Sequence, residues 1–185
     1  VAITFLSEYG RFLARVQGPV SGNVLLRKAQ YRASDDPMAA PAVARSILAG
    51  KILNSRTVLQ RALRDHGEKL DRPRMEEAVE RLKVALQHLE KSQNLDSLRG
   101  VEGDAASAYF EVFDMLVTAH REHFRFEGRN RRPPRDRINC MLSFVYTILM
   151  HDVRSALECV GLDPQVGFLH RDRPGRPGLA LDLME

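Results

Sequence analysis

Residues 136–160 read DRINCMLSFVYTILMHDVRSALECV, which is the most apolar run of the chain. Its apolar side chains recur every three or four positions, the spacing that places residues on one face of an α-helix. They are Ile138, Leu142, Val145, Leu149, Val153 and Leu157. The pattern predicts a long helix with one face against a protein core.

The same period extends over most of the preceding sequence. Apolar residues at helical spacing predict four further helices, at residues 23–34, 37–65, 74–93 and 97–125. Pro37 suits the first turn of the second helix, because the N–H that proline lacks has no intrahelical partner there. The fold class is therefore mainly α.

The N-terminal residues have a different pattern. Residues 1–6 and 11–17 are rich in Val, Ile and Phe and flank a short polar turn, which predicts a β-hairpin. A two-stranded hairpin alone is marginally stable. Since the chain starts at Val1 inside this apolar run, we expect the hairpin to be the remnant of an N-terminal β-domain. We predict two domains, residues 1–20 and a helical domain at 21–185, and we expect the second to lack its C-terminal end.

The composition is that of a globular protein with a mild attraction for polyanions. Hydrophobic residues make up 44% of the chain, and the net charge is +4. Only five of the 28 basic residues are lysines, and arginine binds phosphate with a planar, bidentate fork. A GC-rich genome gives the same excess of arginine, so composition alone does not decide the function. No apolar stretch reaches the roughly 20 residues of a membrane-spanning helix.

The chain has two cysteines, Cys140 and Cys159. On one helix they would lie roughly 28 Å apart, too far for a disulfide. We expect buried thiols in a reducing cytoplasm.

Several common catalytic motifs are absent. The sequence has no Walker loop, nucleotide-binding glycine fingerprint, GxSxG elbow or CxxC pair. This excludes the commonest kinase, dehydrogenase, hydrolase and zinc-ribbon classes.

Residues 121–137 are unusually basic. Seven arginines lie in this segment, at positions 121, 125, 129, 131, 132, 135 and 137. Pro133 and Pro134 end any helix there. A stiff basic loop suits contact with phosphate groups, Arg131 and Arg132 included, although a solvated surface loop has the same composition.

The segment GFLHRDRPGRPGLALDLME, residues 167–185, combines a histidine, arginines and acids. His170 opens a loop with three arginines, and Asp182 and Glu185 share one face of the helix that follows. Carboxylates bind hard ions such as Mg²⁺ or Mn²⁺, and Mn²⁺ also accepts imidazole. The segment therefore predicts a metal site that acts on phosphate, with the arginines offsetting its charge.

A third ligand has to come from elsewhere in the chain. Glu102 is one candidate, because its small neighbours allow close approach, although an ordinary solvated glutamate fits the same pattern. His120 and His123 share a helical face beside Glu122 and Glu127, which is a competing pattern for zinc. A solvated helix end is the plainer interpretation of those histidines.

Four segments together resemble the CRISPR-associated integrase of the adaptation module (the Cas-one family). They are AGKILNSRTVLQR (49–61), RGVEGDAASAYF (99–110), RRPPRDRINCMLSFVYTIL (131–149) and residues 167–185. The resemblance covers nearly the whole chain in order. It implies a metal-dependent DNA endonuclease and integrase that inserts prespacer DNA into CRISPR arrays for antiviral defence.

The resemblance also implies roles for particular residues. The metal ligands would be Glu102, His170 and Glu185, with Mg²⁺ or Mn²⁺ as the ion. The auxiliary residues would be Asp182, Asp136, Asn139, Ser143 and Tyr146. Arg173 and Arg176 match a basic loop near the DNA.

The implied partners are a prespacer duplex, a CRISPR repeat, a second copy of the protein and the second adaptation protein (the Cas-two family). The implied fold is an N-terminal β-domain followed by a helical catalytic domain, to which residues 21–185 would correspond. Two alternatives remain open: a non-catalytic helical DNA-binding scaffold, and a zinc-dependent helical hydrolase that uses His120 and His123.

Overall fold

The computed structural model describes residues 3–9, 11–16, 23–130 and 133–184. In these ranges the chain forms two strands and six α-helices, in agreement with the predicted mainly α fold class. The elements are β1 Ile3–Leu6, β2 Phe12–Val16, α1 Val24–Asp35, α2 Ala39–His66, α3 Arg72–Lys91, α4 Leu95–Glu111, α5 Arg137–Val160 and α6 Gly178–Leu183. Short 3₁₀ turns follow α2 at Gly67–Lys69 and α4 at Phe113–Leu116.

The predicted hairpin is present. Strands β1 and β2 pair antiparallel, with Ile3 opposite Val16 and a register shift between Phe5 and Leu6. An ion pair between Arg15 and Glu158 of α5 fastens the second strand to the helix. The hairpin is thus tied to the helical part of the chain and does not depend on its two strands alone.

The chain divides into two compact units. One comprises Val1–Ala44 with Leu142–Glu185, and the other is Arg45–Met141. The domain boundary predicted at residue 20 falls within residues 17–22, which lie outside the described part of the chain. The division into a β-domain remnant and a helical domain therefore stays a prediction.

The core of the Arg45–Met141 unit is built from α2, α3 and α4. Its fully buried large side chains are Leu48, Ile52, Leu59, Met75, Leu82, Leu89 and Leu98. Each such side chain stabilises the fold by about 1.5–3 kcal/mol relative to an exposed one. Capping fixes where the helices begin, because Asp71 accepts from the N–H of Arg74 and Asn94 accepts from that of Ser97. This core holds α4 in a defined position against α3.

The fourth helix is shorter than the sequence pattern predicts. The pattern predicts a helix to residue 125, but α4 ends at Glu111 and a 3₁₀ turn follows. Asp114 then accepts hydrogen bonds from the backbone N–H of Phe126 and from Arg121, which turns the chain back. The Phe113 and Phe126 rings lie 4.8 Å apart, so the apolar residues beyond α4 pack in a local aromatic cluster instead of extending the helix.

The unit formed by Val1–Ala44 and Leu142–Glu185 has a small core of its own. Leu157, Leu179 and Ala180 are buried, with Val153, Leu162 and Phe168 packed against them. The predicted buried face of α5 is only partly confirmed, because Val145 and Leu149 are 56% and 39% exposed. None of the described residues covers the middle of this helix completely.

The prediction of buried thiols is wrong, because Cys140 and Cys159 are both exposed. On α5 both side chains fall outside the face that Ile138 and Leu157 bury. The expectation of free thiols holds for these two residues. No described helix is both long and apolar enough to cross a membrane.

Candidate functional site

His170 is held by a buried carboxylate. Asp182 lies on α6 with a fully buried side chain, and its Oδ1 lies 2.5 Å from His170 Nδ1. The same oxygen accepts from the backbone N–H of His170, and Oδ2 accepts from the N–H groups of Phe168 and Leu169. With Nδ1 donating to the carboxylate, Nε2 keeps its lone pair for another ligand. The sequence pattern placed His170 before a helix that carries Asp182, and in the structure these two side chains are in direct contact.

Two glycines permit this arrangement. A Cβ on Gly167 would lie 2.7 Å from the Gly178 carbonyl carbon and 2.8 Å from Asp182 Oδ2. A Cβ on Gly178 would lie 2.8 Å from the Gln165 carbonyl oxygen. Only glycine fits at both positions, because the backbone before His170 and the start of α6 approach each other too closely for a side chain.

Gln30 on α1 fixes the loop that leads to His170, a role that no sequence pattern indicates. The Gln30 side chain is buried and donates to the carbonyls of Asp163 and Val166, both at 2.8 Å. It also accepts from the N–H of Asp163. A glutamine on a helix has no distinctive sequence pattern, so only the fold reveals this clamp.

Glu102 pairs with a lysine for which the sequence pattern predicts no role. Glu102 lies on α4 in the Arg45–Met141 unit, and Lys51 Nζ of α2 lies 2.7 Å from its Oε1. The two side chains are 23% and 14% exposed. The AGKILNSRTVLQR segment, in which Lys51 occurs, is the signal that could have found it.

Three glycines lie close in sequence to the residues of this ion pair. Gly50 precedes Lys51, and Gly100 and Gly103 flank Glu102. A Cβ built on any of these three glycines would meet nothing within 4 Å. Packing therefore does not require them, and a ligand can approach the Lys51–Glu102 pair closely.

Asn139 organises the basic loop from within. It is fully buried, and its Oδ1 accepts from Arg129 Nη1 at 2.7 Å and from the N–H of Asn130 at 3.0 Å. Its Nδ2 donates to the carbonyl of Gly128 and to Asp136 Oδ2. One buried amide thus fixes the loop on both sides of the arginine-rich stretch.

Asp136 is held as a carboxylate at the start of α5. Burial raises the pKa of Asp136, but hydrogen bonds from Asn139 and Asn130 outweigh this, and the pKa lies below its ordinary value. The expected auxiliary residues Asp136 and Asn139 therefore contact each other. Ser143 and Tyr146 lie further along α5, half-buried, and Ser143 Oγ has no hydrogen-bond partner among the described residues.

The structure describes only some of the predicted DNA-contacting residues. Arg173 is exposed and Arg176 half-buried, and the N–H of Arg176 donates to the Arg173 carbonyl at 3.0 Å. The predicted ligand Glu185 and the predicted DNA contacts Arg131 and Arg132 lie outside the described residues. Glu102 and His170 belong to different units.

The alternative zinc cluster is solvent-exposed. The side chains of His120 and His123 are 75% and 60% exposed, and they lie in a turn beyond α4 instead of on a helix. Among the described residues, no group of three or more His, Cys, Asp or Glu side chains is placed to hold a metal ion. The described part of the chain thus gives no support to a zinc site at these histidines.

A family model described as CRISPR associated protein Cas1 matches residues 1–185. The chain belongs to the Cas1 family. A relative from Chlorobaculum tepidum named CRISPR-associated endonuclease Cas1 1 is 56% identical over 185 residues, which are 100% of this chain and 54% of the relative. The chain therefore spans about half the length of this Cas1 relative.

Two solved structures have the same fold. A casposase, described as bound to integration product, superposes with a TM-score of 0.80 at 29% identity, over 99% of this chain and 49% of that chain. A chain of a Cas6-RT-Cas1–Cas2 complex gives 0.79 at 27% identity, over 100% of this chain and 20% of that chain. Membership of the Cas1 family agrees with the resemblance carried by the four sequence segments.

Proposed function

We propose that this protein is a divalent-metal-dependent DNA endonuclease and integrase, which inserts prespacer DNA into a CRISPR array in the cytoplasm. The observation that carries the proposal is the contact between His170 and Asp182 in a chain of the Cas1 family. Metal-binding histidines commonly donate their second ring N–H to a carboxylate, which fixes the tautomer and the orientation of the ring. Asp182 supplies such a carboxylate.

The chemistry of the proposed ligands, two carboxylates and an imidazole, suits a hard divalent ion such as Mn²⁺. Asp182 has both oxygens engaged with N–H groups of the chain, so its role is to orient His170. Glu102 already has a cation, the Lys51 ammonium, against its carboxylate. We propose Glu102, His170 and Glu185 as the ligands of Mg²⁺ or Mn²⁺. The chemistry that such an ion supplies when bound is polarisation of a phosphodiester and stabilisation of the leaving oxygen.

The proposed reaction is a transesterification. The 3′-hydroxyl oxygen of the prespacer forms a bond to the phosphorus at the edge of the repeat, and the bond from that phosphorus to the repeat 3′-oxygen breaks. The proton lost by the attacking hydroxyl is balanced by the one that the leaving oxygen takes up. With water as the nucleophile, the same site acts as a nuclease.

The chain's own residues would position the DNA. Arg173 and Arg176 lie six residues or fewer from His170 in sequence and would bind the phosphate backbone, as would Arg131 and Arg132. Arginine neutralises phosphate charge without reading base sequence. We further propose, from the family resemblance, that the protein forms a homodimer, and that this homodimer works with Cas2. The Cas2 partner is supported by a structural relative that is a component of a complex containing Cas2.

A strand-transfer assay tests the proposal. The full-length protein would be mixed with Cas2, a prespacer duplex and a plasmid carrying a CRISPR repeat, in Mg²⁺, in Mn²⁺ and with a chelator. We expect joined product only with metal, and its loss in Glu102→Ala and His170→Ala while DNA binding survives. Removing one catalytic metal ligand is expected to lower the rate at least about 100-fold, as loss of one group that stabilises transition-state charge does.

A matched control lies on the same helix as Glu102. Glu111 is also a glutamate of α4 in an ion pair, with Arg81, but it lies on the exposed surface. Glu111→Ala should join DNA like the wild type. Full joining activity in Glu102→Ala, or joining in the presence of chelator, would remove the metal assignment.

One observation favours a second function, a non-catalytic DNA-binding scaffold. The basic loop is ordered by Asn139 through bonds that involve no proposed metal ligand. For a scaffold, DNA binding would be the same with metal and with chelator, and no joined product would form under any condition. The strand-transfer assay, run beside a binding assay, separates the two functions.

A further inference from the structure

Two neighbouring side chains of α1 bind the loop that leads from α5 to His170, one buried and one exposed. Gln30 is 4% exposed and makes three hydrogen bonds of 2.8 Å. Its Nε2 donates to the carbonyls of Asp163 and Val166, and its Oε1 accepts from the N–H of Asp163. Tyr31 donates its hydroxyl to Asp163 Oδ2 at 2.7 Å, in an exposed position. The buried amide therefore holds the backbone of the loop, whereas the tyrosine holds only a side chain.

The same loop binds the start of α6. The N–H of Gly178 donates to the Gln165 carbonyl at 3.0 Å, and the N–H of Leu179 donates to the Pro164 carbonyl at 3.1 Å. The first N–H groups of a helix have no partner within the helix, so these loop carbonyls fix where α6 begins. Because α6 carries the carboxylate that holds His170, hydrogen bonds connect α1 to the imidazole through the loop and α6.

We propose that Gln30 is a positioning residue for His170, which sets the direction of the ring and thereby the affinity of the metal site. This inference rests on the proposed function, in which His170 is a metal ligand. Gln30 binds the residue before and the residue after the pair Pro164–Gln165, whose carbonyls receive the N–H groups of α6. A shift of this pair would move the start of α6 and, with it, the Asp182 carboxylate.

The loop and α6 are packed too closely to move independently. A Cβ on Gly178 would lie 2.9 Å from the Gly167 nitrogen, so the two backbones are in direct contact. Protein interiors of this density transmit small displacements instead of absorbing them. Loss of the Gln30 amide should therefore be felt at His170, which follows Gly167 closely in the sequence.

The test compares Gln30→Met, which removes all three hydrogen bonds, with Tyr31→Phe, which removes the exposed one. In the metal-free full-length protein with ¹⁵N-labelled histidine, the wild-type His170 ring should show one tautomer, with the proton on Nδ1. Gln30→Met should broaden this signal or mix the tautomers. Its Mn²⁺ affinity, measured from the free-ion electron paramagnetic resonance signal, should fall about tenfold, the lower end of the range for groups that orient a metal-binding histidine. Tyr31→Phe should match the wild type in both measurements.

Two further variants separate positioning from a general loss of stability. Glu158→Gln breaks the ion pair with Arg15 in the same unit, and it should lower stability in urea while leaving the His170 ring signal and the Mn²⁺ affinity unchanged. Gln30→Glu keeps an acceptor for the loop N–H but loses both donors, so it should show the same changes as Gln30→Met. Excess Mn²⁺ should restore DNA joining in both Gln30 variants, because the proposed ligands remain.

A wild-type ring signal and wild-type Mn²⁺ affinity in either folded Gln30 variant overturn the positioning role. An equal loss of affinity in Glu158→Gln overturns it as well, because the effect would then follow stability alone. His170→Ala distinguishes this inference from the proposed function. If that variant binds Mn²⁺ as the wild type does, the metal assignment fails, and the ring signal alone then decides whether Gln30 orients His170.

Discussion

Asp182 binds both the backbone and the ring of His170 through a single oxygen. Oδ1 accepts from the N–H of His170 at 3.1 Å and lies 2.5 Å from its Nδ1. Because Oδ2 accepts two further N–H groups, the carboxylate fixes the loop and the imidazole together. A change at Asp182 should therefore affect fold stability and metal binding at once.

Asp182→Asn replaces one accepting oxygen by an NH₂ group that donates. Buried N–H groups then lose a charged acceptor, and we expect a loss of roughly 1.5–3 kcal/mol in the free energy of unfolding. The Mn²⁺ affinity should fall about 10–100-fold, as it does when the partner of a metal-bound histidine is removed. Urea unfolding and Mn²⁺ titration measure the two effects. Asp172 is an exposed acid of the same loop, so Asp172→Asn should change neither the stability nor the Mn²⁺ affinity. Normal Mn²⁺ affinity in Asp182→Asn would contradict the role of Asp182 in orienting His170.

Gly→Ala substitutions near Glu102 and near His170 should have opposite effects on the stability of the protein. Gly100 and Gly103 lie inside α4 with open space where an alanine methyl group would lie, so each Gly→Ala change should raise stability by roughly 0.5–1 kcal/mol. Gly167→Ala should lower it, because the methyl group would lie 2.7 Å from the backbone of Gly178. Unfolding midpoints in urea measure both. Destabilisation by alanine at Gly100 would mean that the site is not open.

The helices could be predicted from the sequence because their buried apolar residues recur every three or four positions. The contacts between residues far apart in the sequence could not be predicted in this way. Leu82 and Leu89 are buried as their period on α3 requires. The predicted end of α4 lies too far along the chain, because the apolar residues after Glu111 pack in a turn that Asp114 closes. At the site, spacing suggested Asp182 as an acid near His170. It gave no indication of Gln30, whose partners are 133 and 136 residues away along the chain.

Asn139→Ala should disorder the basic loop. The change removes four hydrogen bonds of one buried amide and leaves the carbonyl of Gly128 and the N–H of Asn130 without that partner. We expect a loss of roughly 1–3 kcal/mol for an unsatisfied buried group. Faster trypsin cleavage between residues 121 and 137 would report the loop itself. Cys140→Ala, at the exposed neighbouring position, should leave both stability and cleavage unchanged.

His151 should make the hairpin region sensitive to acid. Burial lowers the pKa of His151 below its ordinary value of 6.5, and Arg154 and Arg15 lower it further, against a smaller opposing effect of Asp152. The folded protein thus favours neutral His151, which stacks on Phe12 at 5.5 Å. The unfolded chain binds the proton first, so this contribution to stability is present above pH 6.5 and is lost as the pH falls through the folded pKa.

Urea unfolding between about pH 5 and 8 measures the loss of stability. In His151→Gln the same decline should be smaller, because the side chain no longer titrates. A decline of equal size in the stability of this variant would assign the acid sensitivity to other groups. Asp136 is one such group, and its lowered pKa places its titration at a more acidic pH.

Arg173 and Arg176 stand at the two ends of a tight turn, and this geometry makes their contribution to DNA binding testable. Gly175 has a φ of 75°, which glycine adopts without strain, and the turn closes through the bond from Arg176 to Arg173. If both side chains bind phosphates, changing them to Gln should reduce the slope of log K against log salt by about 0.9 for each phosphate that is no longer neutralised.

The matched control removes the same charge elsewhere. Arg61 and Arg64 on α2 have side chains that are 75% and 72% exposed and that pair with Asp65. Changing both to Gln should lower the overall charge equally but leave the salt slope on duplex DNA unchanged. A fall of the same size in both double variants would show a general effect of net charge. Only a fall confined to the Arg173 and Arg176 variant supports a phosphate contact at the turn beside His170.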